Sequence, residues 1–290
     1  MVCIIYRVRV KNEINSQIMT VRTPFAGKNQ LATWIKDMAN AGGTGGLNWH
    51  VHAARSLQRW LPTREHIASF LANIQPEEKH LLLIGCSAGW MLPTPWLAKF
   101  ERIDVYDIDP LVPFLFGLRH GRTLKTQSVQ LHYHRSDAIA GLPVLLKQHP
   151  NACVWFDNVL GQVGVRLGDE EIAERQLAQL KHLLKGRAWG SLHDMYSGGT
   201  DADMALPAVE CCEWVRLDDA PEESSKVRAN QQTFLHPEAA QWLLTRLNAK
   251  GVWHDHPTGG VFAPGTQTLL IPWAFKPHYW HWLQAGWVKP

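Results

Sequence analysis

The sequence predicts an α/β fold: a Rossmann-like, mostly parallel sheet with helices on both faces, plus an N-terminal helical cap. Three observations carry this expectation. Leu81-Leu-Leu-Ile84 is a short apolar run that enters a glycine turn, Gly85-Cys-Ser-Ala-Gly89, as a strand buried on both faces of a parallel sheet would. Two further strand-like runs, 102–107 and 151–157, each end on a carboxylate, Asp107 and Asp157. Helical segments separate the strands, and that alternation builds parallel sheets covered on both sides.

The first 75 residues form an extension and cap, and residues 76–290 the sheet domain. Gly42-Gly-Thr-Gly-Gly46 is a linker, since no Lys-Ser/Thr follows it as in a phosphate loop. Residues 48–61 and 63–73 read as two helices broken by Pro62, with Thr63 capping the second. Trp49, His50, His52 and Trp60 would face a substrate from this cap. After the glycine turn, a helix is expected to start near Trp90, with Pro93 and Pro95 in its first turn. Its free N–H groups would then face a ligand. Asp109-Pro110 opens another helix, which Gly121 stops. Residues 129–134 alternate as a strand leading to Asp137.

Residues 169–185 carry the strongest helix signals: Asp169 as cap, Glu170 and Glu171 in the first turn, Lys181, His182 and Lys185 in the last, and Gly186 beyond. Ile172, Leu177, Leu180 and Leu184 would face the sheet. Residues 188–196 are a fifth strand, and 197–232 an irregular insertion. Residues 237–247 read as a helix, 252–256 and 266–275 as strands, and the segment from Lys276 as an aromatic, basic tail.

Composition narrows the function. The 290 residues include 14 Trp and 15 His, and the formal net charge is +3. So small a charge, with no Lys/Arg run, argues against nucleic acid as partner. The cysteines Cys3, Cys86, Cys153, Cys211 and Cys212 are odd in number and hold no C-x-x-C. That fits reduced thiols, and with no secretory signal the protein is expected to be cytoplasmic. No apolar run is long enough for a bilayer. A small molecule in an aromatic-lined pocket is the expected partner; the oligomeric state is not legible.

The glycine turn carries the chemistry. Gly85 permits a sharp turn, and Gly89 leaves room for a ligand against the main chain. Asp107 follows Gly89 by 18 residues, the spacing at which an acid ending the next strand binds both ribose hydroxyls.

Together these motifs resemble the class I S-adenosylmethionine-dependent methyltransferases. The resemblance spans residues 81 to about 275. It implies S-adenosyl-L-methionine as cofactor, with Gly85, Cys86, Ser87 and Gly89 forming the turn. Asp107 and Ile108 would lie at the ribose, Asp137 and Ala138 near the adenine, and Asp157, Asn158 and Gln162 along the methionine half. The last two strands would form a hairpin, supplied by 252–256 and 266–275. The turn departs from the family in lacking a third glycine. No Asn/Asp-Pro-Pro-Tyr/Phe follows the fourth strand, which argues against an amide or base nitrogen as acceptor.

The implied activity is methyl transfer to a small molecule. His193 is the expected base, with Asp194 and Tyr196 beside it at the strand's carboxyl end. Three alternatives use the same residues. One is transfer of the cofactor's aminocarboxypropyl group. A second is an α/β-hydrolase, since Gly85 to Gly89 also spells G-x-S-x-G, with Ser87 as nucleophile, Asp194 as acid and His254 or His256 as base. A third is a non-catalytic cofactor-binding module. The pairs His50/His52, His132/His134 and His254/His256 could each hold a metal, but no neighbouring carboxylate or cysteine completes a ligand set, so no metal is expected.

Overall fold

The computed structural model describes residues 46–201, 249–258, 260–263 and 266–290. Helices α1 (Gly46–Ser56) and α2 (Leu61–Ala72) precede strand β1 (His80–Ile84). Then come α3 (Thr94–Leu97), β2 (Arg102–Asp107), α4 (Val112–Phe116), a π-helical segment (Gly117–Gly121) and α5 (Arg122–Thr126). Strand β3 (Gln130–Arg135), α6 (Leu142–Gln148), β4 (Cys153–Asp157), α7 (Val163–Leu167) and α8 (Glu170–Leu183) follow. The chain ends in β5 (Trp189–Thr200), β6 (Ala249–Asp255), β7 (Thr268–Lys276) and β8 (Tyr279–Val288).

The eight strands form one sheet in the order β3-β2-β1-β4-β5-β8-β7, with β6 paired to β5 off this path. Strands β1 to β5 are parallel, while β6, β7 and β8 run antiparallel to their partners. The fold is Rossmann-like, as the sequence predicts. Strand alternation splits the core into two layers. Leu81 and Leu83 pack with Trp60, Ile67, Phe70 and Leu71 from the α1–α2 side, whereas Leu82 and Ile84 pack with Leu177, Leu180 and Leu184 from the α8 side. Helices α1 and α2 thus share the sheet's own core rather than a separate one.

The structure redraws several local expectations. Thr63 does not cap α2: its Oγ1 donates to the Pro272 carbonyl on β7 at 2.9 Å, tying helix to sheet. No helix begins at Trp90, because residues 85–93 form turns and α3 starts only at Thr94. Gly121 does not end its helix, since Gly117 and Gly121 both keep right-handed helical angles and the chain runs on into α5. Ile172 is 39% exposed, and Ala173 takes its place on the packed face of α8. The closing hairpin is formed by β7 and β8, not by 252–256 and 266–275. The aromatic tail is therefore a central strand, turned back at Pro277-His278, where His278 has φ +57°. The helix expected at 237–247, and residues 202–232 of the expected insertion, lie outside the described residues.

Candidate functional site

The glycine turn occupies the carboxyl ends of β1, β2 and β4, where open α/β sheets place their ligands. Gly85 has φ +71°, and a Cβ there would overlap the Val159 side chain. Gly89 has φ +62°, and a Cβ would stand 2.6 Å from His120 Nε2. That imidazole meets the Gly89 carbonyl through Nε2 (3.2 Å) and Thr94 Oγ1 through Nδ1 (2.8 Å), locking the π-helical segment onto the turn. Ser87 and Asn158 also adopt positive φ, +53° and +55°. Strained backbone of this kind persists where the surroundings enforce it, and it clusters at sites.

Above the turn lies a cavity with about 930 Å³ of empty space, its open mouth included. Ten of the eleven residues expected to hold a cofactor line it: Gly85, Cys86, Ser87, Asp107, Ile108, Asp137, Ala138, Asp157, Asn158 and Gln162. Gly89 does not; it supports the turn from behind through His120. Trp49, Trp90, Met91, Tyr106 and Trp273 complete the apolar wall. Trp49 comes from α1, and its indole donates to Ser87 Oγ at 2.8 Å. Its neighbour His50 accepts from the Trp90 indole at 3.1 Å and meets Asp109 at 3.0 Å, pinning α1 over the cavity.

The polar groups on this wall include three carboxyls. Asp107 accepts backbone N–H bonds from Ser87 (2.8 Å) and Asp109 (2.9 Å), so the second strand's acid holds the glycine turn in place. Burial nonetheless pushes its carboxyl up to about 6. Burial also raises Asp157, to about 7; the Trp155 indole opposes the shift and nearby Asp107 adds to it. Asn158 Oδ1 is buried with no hydrogen-bond partner. Such an atom is costly unless a ligand donates to it. Three carboxyls, of Asp107, Asp137 and Asp157, and an orphan amide oxygen around one cavity suit a ligand with hydroxyl and ammonium donors.

The three residues expected to be catalytic do not line the cavity. Strand β5 continues to Thr200, so His193 and Asp194 lie within it rather than at its end. Alternation then sends them to opposite faces. His193 is fully buried, bonded to Ser191 Oγ (2.9 Å) and Gln284 Oε1 (3.1 Å), and burial lowers it to about 4. It is a satisfied core histidine away from the cavity lining. Tyr196 is buried at the register shift between β5 and β8.

Asp194 faces the other way, toward β8, and accepts from His281 Nδ1 at 2.8 Å. His256, just past β6, meets Ser197 Oγ at 3.1 Å, and the Tyr279 hydroxyl donates to the same Oγ at 3.2 Å. The His281 ring lies 5.0 Å from Trp273, which forms part of the cavity wall. His281 was not visible as a site residue because its segment reads as a tail. The signal for it is the alternation of Trp280 and Trp282 around it, which marks a strand.

Compared with protein-family profiles and with curated proteins, the chain matches none. Among solved structures it is similar to a candidate O-methyltransferase of Nostoc punctiforme, at 14% identity over 90% of this chain and 68% of that one, with a TM-score of 0.35. It is also similar to the plantazolicin methyltransferase BpumL in complex with SAH, at 12% identity, 57% and 60% coverage and a TM-score of 0.32. The [4+2]-cyclase SpnF aligns at 15% identity, 79% and 81% coverage and a TM-score of 0.34. At these scores the likenesses carry no argument. The fold reading rests on the strand order and the glycine turn.

Proposed function

We propose that the chain is an S-adenosylmethionine-dependent methyltransferase acting on a small-molecule acceptor. The observation that carries this reading is the acceptor set around the glycine turn: Asp107, Asp157 and the unpartnered Asn158 Oδ1 in one apolar cavity. The cofactor supplies an electrophilic methyl group on a sulfonium, already activated for transfer. Asp107 would hold the ribose hydroxyls on the lone pairs its two backbone bonds leave free. Asp157 and Asn158 would receive the ammonium of the methionine half. A cationic ligand returns both raised carboxyls to their charged form. Trp49, Trp90, Met91 and Trp273 exclude water from the transfer.

The hydrolase reading has less support, because Ser87 Oγ accepts from the Trp49 indole and His256 is engaged by Ser197. Calorimetric titration with S-adenosylmethionine and S-adenosylhomocysteine tests the proposal. Micromolar binding is expected, weakened at least about tenfold in Asp107→Ala, which removes charge-assisted bonds of about 1.5–3 kcal/mol. Unchanged affinity in that variant would sink the assignment.

A further inference from the structure

Behind Trp273 and Gly161, Asp194, His256 and His281 converge from three places in the chain. β5 contributes the carboxylate, the residue after β6 one imidazole, and β8 the other. Register brings them together. Ser197 on β5 pairs with His254 on one side and His281 on the other, and the His256 N–H donates to the Met195 carbonyl at 2.8 Å. One carboxylate oxygen and one nitrogen from each ring lie within 4.8 Å of one another. The two rings are nearly parallel, 26° apart, with centroids 6.2 Å from each other.

The hydrogen bonding is uneven. A carboxylate can only accept, so His281 Nδ1 donates to Asp194, and in the neutral imidazole Nε2 presents a lone pair. That Nε2 is buried and has no partner. His256 Nε2 is engaged by Ser197, and its Nδ1 is likewise buried and without a partner. The Gly161 carbonyl faces the His256 ring, yet no atom meets Nδ1 in hydrogen-bonding geometry. Each imidazole therefore has one nitrogen fixed by an oxygen and the other left open. This is how proteins orient histidines toward a metal.

We propose that His256 Nδ1 and His281 Nε2 bind a divalent first-row transition ion such as Zn²⁺, with Asp194 holding His281 from behind. Imidazole nitrogens are borderline-soft ligands that suit such ions better than Mg²⁺ or Ca²⁺. Two protein ligands leave coordination positions open for water or a substrate oxygen. The His281 side chain is 13% exposed, which gives an ion a way in. The site is independent of the cofactor reading and stands or falls apart from it.

The test uses the full, tag-free chain stripped with a chelator. Co²⁺ is titrated against its visible absorption, and Zn²⁺ by calorimetry. One ion per chain is expected, with affinity lowered on the order of 100-fold in His281→Ala and in His256→Ala. His254→Ala, the exposed neighbour, keeps wild-type affinity. Failure of the wild type to bind, or binding that survives both ligand substitutions, overturns the site. Histidine-ring NMR of the wild type decides the matter without any variant. Zn²⁺ should shift the His256 and His281 rings; shifts confined to other histidines, or none, refute the proposal.

Discussion

Two clusters of histidine around a buried aspartate sit in the same sheet, and they are finished differently. Asp104 on β2 is completely buried and receives Arg102 through two nitrogens, at 2.7 and 3.2 Å, with His134 at 2.7 Å and His80 on its other oxygen. Burial alone would raise its carboxyl, but these donors hold it well below the usual carboxylate range. Among the described residues, Asp194 is paired with no arginine. It is bonded to His281, which holds its carboxyl below the usual range against the opposing effect of burial. Two imidazole nitrogens beside it find nothing. His80, Asp104 and His149 also converge closely enough for a metal. There the arginine fork already occupies the carboxylate, and an ion would have to displace a cation. Proximity of ligand types is thus a weak sign of a metal site, and unfilled lone pairs are a stronger one.

The comparison can be broken from either side. The largest effect expected is at Asp104: Asp104→Asn should cost about 3 kcal/mol at neutral pH, since it strips the anion from partners arranged around it. Because that carboxyl is depressed in the folded state, its contribution is present above the unfolded value of about 3.9 and fades as pH falls below it. Urea unfolding of variant and wild type should therefore converge in acid. Next, Zn²⁺ at 100 times its Kd should stabilise the wild type by about 2.7 kcal/mol, and Asp104→Asn by the same increment. His281→Ala should lose most of that increment and Asp194→Asn part of it; an increment lost at Asp104 instead would invert the comparison.

The cavity's own acid offers a third, smaller case. Asp157 is raised to about 7, so between about pH 4 and 7 the native state holds a proton that the unfolded state releases. Ligand-free wild type should lose stability across that window relative to Asp157→Asn. Thermal melts at several pH values would reveal it, and parallel curves would deny it. The smallest effect belongs to exposed His254: His254→Ala should change stability by no more than about 0.5 kcal/mol in the same melts.

How much was legible follows from range along the chain. The cradle is local: a strand, its glycine turn and the acids ending β2 and β4 fall at set spacings, and ten of the named residues line one cavity. Trp273 reaches the same wall from β7, and no local pattern announces it. His281 lies 87 residues from Asp194, and only the β5–β8 pairing joins them. That strand is hard to read because residues 282–286 are buried on both faces, so the alternation of Trp280, His281 and Trp282 does not continue along it. His193 misled for a related reason. One residue from Asp194 in sequence, it faces the opposite layer, where Gln284 and Ser191 satisfy it. The helix through Gly117 and Gly121 was missed because glycine reads as a stop, whereas here tertiary contact of His120 with Gly89 overrides propensity.

The most direct test of the cofactor assignment is a crystal structure of the full chain grown with S-adenosylhomocysteine. The account predicts the ligand in the cavity above Gly85, its ribose hydroxyls at Asp107 and its amino group at Asn158 and Asp157. An empty cavity at saturating ligand, or a ligand whose ribose lies away from Asp107, would contradict it.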